Sequence, residues 1–311
     1  MRPDPAPTEP IEEAVQRLRA GGLVAFPTET VYGLGADALN PLALRQVFAL
    51  KGRPVDHPLI AHLAWQADLQ ELLAPWAALD PRAIELGEAF WPGPLTLVLP
   101  RAPGLPDELT GGLPTVGLRV PDHPVAQELL RAFGSALAAP SANRFGRISP
   151  TLPEHVREEL GEQVLILEGG PCRVGIESTI VDLSGGRPAI LRPGSITAAQ
   201  IEARVGPLAP SSTTRAPGTL AGHYAPRTAL RLSADPQAEA ARLAALGLRV
   251  AVLAPLDPES YASALYAELR RLDAEGVDLL VAGLAPEEGL GLAVNDRLRR
   301  AAFGSSGGSQ I

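Results

Sequence analysis

The sequence predicts an α/β protein with two domains, and three observations favour that class. Short apolar segments typical of buried strands alternate with amphipathic helical patterns in both halves of the chain. With 311 residues, the chain is too long for one average domain and fits two. Between the halves, residues 206–227 are rich in proline, serine, threonine and glycine and lack apolar periodicity. We therefore predict a first domain over residues 8–205, a linker over 206–227 and a second domain over 228–303.

The first domain is predicted to begin with a helix and a short buried strand. Thr8 is suited to cap the helix, Gly21 ends it, and residues 1–7 are predicted to be disordered. The stretch 23–37 (LVAFPTETVYGLGAD) starts as the strand, which Pro27 stops because proline has no N–H to donate. Hydroxyls, one carboxylate and two glycines follow. This composition is typical of a ligand-binding rim, although an ordinary strand-to-helix turn is the alternative.

A second helix is predicted to begin at Asn40 and to end at Lys51, the only lysine among 27 basic residues. Arg53 follows two residues later, on a loop that glycine and proline stiffen. Lysine contacts phosphate as a point charge and arginine contacts it as a planar fork. The pair therefore suits a polyphosphate better than a single carboxylate, and a solvated basic turn is the alternative.

Two polar side chains lie within later apolar strands. His62 follows Ile60 in a short strand, where a ligand contact and a satisfied strand histidine are equally consistent with the pattern. Arg119 lies in the apolar segment 115–120, and a buried arginine must be paired or must bind a ligand. We favour a ligand, because a substrate with a carboxylate would supply the missing anion.

The polar pattern recurs at three more predicted strands of the first domain. The strand at 136–139 leads into PSANRFGRISPT, Glu177 and Ser178 precede the next strand, and Arg192 follows another in ILRPGSI. Repetition of the pattern within one domain favours a shared binding edge over accidental turns.

The linker and the second domain have different patterns. The linker carries His223 and Tyr224, which a spacer does not need, so we predict that it folds back over the first domain; a plain linker is the alternative. Beyond residue 228, strand and helix patterns alternate as βαβαβα, which favours a parallel sheet covered by helices. The tail GSSGGSQI is predicted to be disordered.

Composition and missing motifs exclude several classes of function. The net charge of −8 opposes general nucleic-acid binding, and the single cysteine, Cys172, rules out an internal disulfide and a cysteine-cluster metal site. No apolar run approaches the roughly 18 residues that span a bilayer, so we expect a soluble cytoplasmic protein. The chain has no G-x-x-x-x-G-K-[ST], G-x-S-x-G or H-E-x-x-H motif. The residues favour a nucleotide enzyme that works by positioning and charge neutralisation, and they leave the reaction open.

A set of motifs in one order makes the prediction more specific. The chain carries PTETVYGLG, KGRP, HPLIAHL, TVGLRVP, APSANRFGRISPT, ESTIVDL, ILRPGSI and HYAP. Together they resemble the L-threonylcarbamoyladenylate synthase family over essentially the whole chain. The resemblance implies the long form of that family, in which a YrdC-like twisted mixed sheet with helices is joined by a linker to a smaller, Rossmann-like three-layer α/β C-terminal domain.

The resemblance also implies an activity and its partners. The implied enzyme, a nucleotidyltransferase, makes threonylcarbamoyl-AMP and pyrophosphate from L-threonine, bicarbonate or CO2, and ATP with Mg2+. Its product would pass to the tRNA threonylcarbamoyl transferase machinery. No membrane and no stable direct binding of nucleic acid are expected, and no metal ligand is assigned.

The matching motifs imply two groups of site residues. The threonine site would comprise Thr30, His62, Arg119, Ala139 and Ser178. The nucleotide site would comprise Lys51, Arg53, His57, Thr115, Ser141, Asn143, Ser149, Arg192 and Tyr224, with Lys51 and Arg53 as the catalytic residues. His57 stands where many members of the family have asparagine.

Two other functions are weighed against this one. A YrdC-like module could bind RNA without catalysis, which the acidity of the chain opposes. A carbamoyl-phosphate-type transfer, as in hydrogenase-maturation relatives of the domain, would need acylphosphatase-like and zinc-finger regions that this sequence lacks.

Overall fold

The computed structural model describes residues 8–305. Residues 1–7 and 306–311 lie outside the described part. The predictions of disorder for the first seven residues and for most of the tail therefore concern residues outside it. The first two residues of the predicted tail, Gly304 and Ser305, instead end the last helix. Leu298 and Ala301 are buried, so packing of the preceding turns against the domain core supports this extension.

The helices and strands are as follows. The helices are α1 Glu9–Arg19, α2 Pro41–Lys51, α3 Leu69–Leu73, α4 Pro81–Phe90, α5 Asp107–Thr110, α6 Pro124–Phe133, α7 Pro153–Leu160, α8 Ala198–Val205, α9 Pro236–Ala244, α10 Pro258–Asp273 and α11 Leu290–Ser305. The strands are β1 Val24–Phe26, β2 Gly33–Asp37, β3 Ile60–His62, β4 Leu95–Pro100, β5 Thr115–Arg119, β6 Leu137–Ala138, β7 Leu165–Ile166, β8 Thr179–Asp182, β9 Ala189–Arg192, β10 Leu230–Ser233, β11 Val250–Leu253 and β12 Leu279–Gly283. Within residues 8–305, none of the helices combines the length and the apolar character that crossing a membrane requires.

The stretch 23–37 forms a pair of strands, where one strand and a glycine-rich rim were predicted. β1 pairs antiparallel with β2, so that Val24 is opposite Gly35 and Phe26 is opposite Gly33. A Cβ atom on Gly35 would lie 2.8 Å from the Phe26 ring. This glycine therefore makes room for the aromatic side chain. The polar residues 28–30 form the connection between the strands and are buried.

The strands β1 to β9 form one mixed sheet in the order β7-β1-β2-β6-β3-β5-β4-β8-β9. Val24 and Phe26 pack with α1 and α6, whereas Ala25 between them packs with the helices of the opposite face. β3 and β5 are parallel, and their register places His62 beside Arg119. Helices thus cover both faces of the sheet, and polar side chains meet at the ends of its central strands.

The second domain has its own sheet of three parallel strands in the order β10-β12-β11. Apolar side chains of α10 and α11, such as Leu265 and Leu298, pack on one face against Leu280. α9 contacts the same strands from the other face, as right-handed crossovers require. The two sheets confirm the predicted α/β class and the predicted parallel sheet in the second half.

Candidate active site

A cleft of about 570 Å³ lies at the polar edge of the large sheet. Each polar strand end singled out from the sequence contributes to its wall, and so does the segment 217–224. Three guanidinium groups, those of Arg53, Arg119 and Arg192, line it together with the Glu177 carboxylate. The cleft is therefore cationic in a chain of net charge −8.

The structure brings most of the predicted site residues to this cleft. Those in its wall are Arg53, His62, Arg119, Ala139, Ser141, Ser178, Arg192 and Tyr224. The remainder lie behind the wall or beside it, and their contacts are described below.

Arg119 ends β5 and is almost fully buried. Of the two alternatives for a buried arginine, the sequence favours a ligand over a protein partner, but the Nη2 of Arg119 lies 2.7 Å from Glu29 Oε1 and donates to Thr30 Oγ1 at 2.9 Å. Glu29 also accepts a hydrogen bond from the Asp122 N–H at 3.1 Å. Among the described residues, no partner accepts from the buried Nε of Arg119. Arg119 is thus held by an ion pair and keeps donor capacity for an anion in the cleft.

His62 lies next to Arg119 in the sheet, with Nδ1 3.1 Å from the Ile60 carbonyl oxygen. Burial, followed by the charge of Arg119, lowers the pKa of His62 to about 3. The ring is therefore neutral near pH 7, and its Nδ1–H donates to that carbonyl. The charge on this side of the cleft comes from Arg119 and not from His62.

Arg192 connects the start of β8 to the segment 217–224. Its Nε donates to the Ser178 carbonyl oxygen at 3.0 Å and its Nη2 donates to Ser178 Oγ at 3.1 Å. Its Nη1 donates to the Pro217 carbonyl oxygen at 3.1 Å. Burial lowers the pKa of Arg192 from its usual value. One guanidinium group therefore fixes the position of two parts of the cleft wall.

Lys51 lies behind the cleft wall, although a direct phosphate contact was predicted for it. Its Nζ donates to the carbonyl oxygens of Ser141 at 2.6 Å and of Asn143 at 2.5 Å. Burial, and then the charge of Arg53, hold the pKa of Lys51 well below its usual value. In this geometry the amine ties the end of α2 to the loop that carries Ser141 into the cleft.

Arg53 does reach the cleft wall. Its Nη2 donates to the Pro58 carbonyl oxygen at 2.9 Å, and its Cζ lies 5.8 Å from the centre of the Phe145 ring. Its Nε is buried and has no hydrogen-bond partner within the part of the chain that the structure describes. Burial lowers the pKa of Arg53 to about 10, so it stays charged at neutral pH.

The other predicted residues lie outside the wall. Asn143 donates to the carbonyl oxygens of residues 144 and 147, and Ser149 donates to Glu177 Oε1 at 2.5 Å. Thr115 lines a separate cavity of about 270 Å³, and the His57 ring is edge-on to Phe145 at 5.5 Å. Thr30 supports Arg119, as described above. Asn143, Ser149 and Thr30 thus bear on the site through their neighbours.

Glu177 is a cleft residue that the sequence prediction left out of the site. Burial opposes its ionisation, but the charges of Arg297 and Arg192 and the Ser149 hydrogen bond hold its pKa at about 2. Arg297 Nε lies 3.0 Å from Glu177 Oε2, and Tyr266 donates to the same oxygen at 2.9 Å. The sequence signal that could have found Arg297 is its place among the apolar positions of the last helix.

The segment predicted as a linker supplies Pro217, Gly218, His223 and Tyr224 to the cleft wall. Tyr224 is buried and has a positive φ of 60°, which is uncommon for a residue with a side chain. Its hydroxyl makes no hydrogen bond within residues 8–305. The segment therefore covers the cleft in this structure.

The described residues of the cleft do not form a set of protein ligands for a metal ion. Within residues 8–305, no three His, Cys, Asp or Glu side chains are grouped so that they could hold a metal. The cleft carboxylate, Glu177, already accepts from Ser149, Tyr266 and Arg297. Mg2+ is commonly bound through substrate phosphates and water, and that mode needs no protein cage.

Comparison with known proteins places the whole chain in one family. The Sua5, YciO and YrdC family model, described as Telomere recombination, matches residues 16–194, and a model described as Threonylcarbamoyl-AMP synthase, C-terminal domain, matches residues 196–303. A threonylcarbamoyl-AMP synthase of Bacillus subtilis is 39% identical over 94% of this chain and 93% of its own length. The chain belongs to the threonylcarbamoyl-AMP synthase family.

Further relatives of the threonylcarbamoyl-AMP synthase family agree with this assignment. The threonylcarbamoyl-AMP synthase of Pyrococcus abyssi is 40% identical over 91% of each chain. A crystal structure of P. abyssi Sua5 complexed with L-threonine matches with a TM-score of 0.87 and 39% identity, over 95% of this chain and 94% of that one. The structure of Escherichia coli YciO matches with a TM-score of 0.51 and 29% identity, over 59% of this chain and 88% of that one. These findings confirm the family resemblance, the YrdC-like fold and the prediction of an adenylate-forming enzyme.

Proposed function

We propose that the cleft binds L-threonine and ATP and forms threonylcarbamoyl-AMP and pyrophosphate, with the carbonyl carbon supplied by bicarbonate or CO2. The observation that carries this proposal is the convergence of three buried guanidinium groups and several strand-end hydroxyls on one cleft. The similarity to P. abyssi Sua5, whose crystal structure contains L-threonine, supports threonine as the amino acid.

Arg119 and His62 are suited to hold the threonine. The positive charge of Arg119 and its N–H groups that are not used by Glu29 or Thr30 can bind the threonine carboxylate, while the Glu29 ion pair keeps the guanidinium in place. A carboxylate held in this way leaves the amine free to add CO2, which forms a carbamate as one proton leaves the nitrogen. The neutral ring of His62 adds no positive charge that would repel a threonine ammonium group.

Arg53 and Arg192 are suited to the nucleotide. A carbamate oxygen would attack the α-phosphorus of ATP, and the bond from that phosphorus to the leaving pyrophosphate would break. Two fixed guanidinium groups would stabilise the negative charge on the phosphates, and Lys51 would hold the Ser141 loop in position. Mg2+ held by the phosphates would supply further charge neutralisation. We propose that the product passes to the tRNA threonylcarbamoyl transferase machinery of the cytoplasm.

An isotope experiment tests the proposed reaction. The protein is incubated with ATP, Mg2+, L-threonine and 13C-labelled bicarbonate, and the products are analysed by mass spectrometry. We expect threonylcarbamoyl-AMP that carries one heavy carbon, together with pyrophosphate, and neither product when threonine is omitted. Release of pyrophosphate without a labelled adenylate would contradict the proposal.

A further inference from the structure

The second domain reaches the cleft through one buried carboxylate. Glu177 precedes β8 in the first domain and lines the cleft, and its Oε2 accepts from Tyr266 of α10 and from Arg297 of α11. Its Oε1 accepts from Ser149 of the first domain. The Arg297 side chain is fully buried and also lies 2.8 Å from Asp296. Both domains therefore act on the same side chain of the cleft.

The same two residues of the second domain also hold Tyr224 of the linker. The Tyr224 and Tyr266 rings are stacked with centroids 5.7 Å apart, and the Arg297 guanidinium lies over the Tyr224 ring at 5.3 Å. Both contacts are made to a residue whose backbone adopts a positive φ. They hold the Tyr224 hydroxyl at the cleft wall, next to Gly218.

Packing of the two domains against each other does not require a buried ion pair between Glu177 and Arg297. A buried ion pair loses much of its attraction to desolvation, and well-packed apolar residues of similar volume commonly serve as well or better. In this chain the pair instead fixes a carboxylate and an aromatic ring that both face the cleft. Glu177 and Tyr224 lie beside Arg192, on the side where the nucleotide is proposed to bind.

We propose that Tyr266 and Arg297 are positioning residues for nucleotide binding, which act through Glu177 and Tyr224 although neither of them lines the cleft. This inference rests on the proposed function, because it assigns the Glu177 side of the cleft to ATP. The threonine side depends on Arg119 and Glu29, whose side chains pair with each other and hydrogen-bond to Thr30 and to the Asp122 N–H, all in the first domain. The two substrates should therefore respond differently when the link is weakened.

Two matched tyrosine variants test the inference. Tyr266→Phe removes the hydroxyl that donates to Glu177 and retains the stacked ring. Tyr261→Phe removes an equally buried hydroxyl from the same helix, where it donates to the Gly283 carbonyl oxygen inside the second domain at 2.7 Å. We expect Tyr266→Phe to raise the KM for ATP by at most about 10-fold, because the free energy of one hydrogen bond to a charged group limits how much the displaced Glu177 can affect ATP binding, and to leave the KM for threonine unchanged. Tyr261→Phe should lower the melting temperature without changing either KM.

A second pair of variants separates positioning from folding. Arg297→Met should raise the KM for ATP more than Tyr266→Phe does, and it should also lower the melting temperature because the buried Glu177 carboxylate loses its ion-pair partner. Adding Glu177→Gln should restore the melting temperature but not the KM for ATP. Recovery of both the melting temperature and the KM for ATP in the double variant would overturn the inference. Equal effects of Tyr266→Phe and Tyr261→Phe on the KM for ATP would also overturn it, and so would a parallel rise of the KM values for ATP and threonine.

Direct binding keeps this test separate from that of the reaction. ATP affinity is measured by calorimetry for the wild type, Tyr266→Phe and Tyr261→Phe in the absence of threonine. If the wild type binds ATP but makes no adenylate, the proposed reaction fails and the comparison of affinities still decides the positioning role. Equal ATP affinities in all three proteins would reject that role even if the reaction takes place.

Discussion

Replacing Arg119 with methionine separates its role in binding from its role in stability. The side chains of Arg119 and Glu29 are 5% and 1% exposed, so the variant leaves Glu29 buried with the Asp122 N–H as its donor. Removing one partner of a buried pair costs about 3–5 kcal/mol of unfolding free energy, because the remaining charge is uncompensated. Adding Glu29→Gln removes that charge, so the double variant should regain most of the lost stability.

Threonine affinity should fall in both proteins. Arg119 is the proposed charged donor to the threonine carboxylate, and the loss of hydrogen bonding to a charged group costs up to about 3 kcal/mol. The dissociation constant should therefore rise by up to roughly 100-fold. Calorimetric titration with L-threonine measures the affinity, and urea unfolding measures the stability.

The two measurements can refute the reasoning independently. A double variant that binds threonine as tightly as the wild type would remove Arg119 from the threonine site. A single variant destabilised by less than about 1 kcal/mol would show that the Glu29 pair is not the buried charge pair described here.

Three further predictions concern other parts of the site. Lys51→Ala removes the donor to the carbonyl oxygens of the 141–143 loop, so adenylate formation should fall on the order of 100-fold while threonine affinity stays nearly intact. A pyrophosphate-release assay measures the turnover, and unchanged turnover would argue against this role. Gly218→Ala should weaken ATP binding measured by calorimetry, because the added Cβ would lie 2.2 Å from the Tyr224 hydroxyl. Gly206→Ala is the control, since Gly206 has a similar positive φ but no atom within 4 Å of an added Cβ. Equal effects of the two variants would count against a clash with Tyr224. The pKa of His62 is lowered from 6.5 to about 3 in the folded protein. The contribution of the neutral ring to the unfolding free energy is therefore fully present above pH 6.5 and is lost as the pH falls towards 3. Between pH 6.5 and about pH 5 the wild type should therefore lose about 1.5 kcal/mol more unfolding free energy than His62→Gln in urea titrations, and equal losses would contradict the lowered pKa.

Local sequence signals predicted the larger elements of the fold well. Asn40 and Pro41 marked the start of α2, where the Asn40 side chain accepts hydrogen bonds from the N–H groups of Leu42 and Ala43. The two-residue strand β7 was not predicted, because it exists only through parallel pairing with β1, about 140 residues away. The pairing of β1 with β2 was also missed, since Gly33 and Gly35 suggested a rim and not a strand.

The sequence predicted which polar strand ends share one edge, but it did not identify partners that are distant in sequence. The polar residues after β1 and β6, at the end of β9 and before β8 do line one cleft. Glu29 lies 90 positions before Arg119, and Glu177 lies 120 positions before Arg297. No local sequence pattern predicts which buried charged residues form an ion pair with each other. The direct phosphate contact predicted for Lys51 likewise depended on the direction of a flexible side chain, which two backbone carbonyls determine.

The burial of Lys51 limits how the folded chain reacts with reagents that acylate lysine. Of the 27 lysine and arginine residues the other 26 are arginine, so this nitrogen is the only ε-amino group available to acylating reagents. In the folded protein it is hydrogen-bonded to two carbonyl oxygens and only 3% of the residue is exposed. Acylation at this position requires the loop at 141–143 to separate from α2, so its rate measures how often that part of the molecule opens.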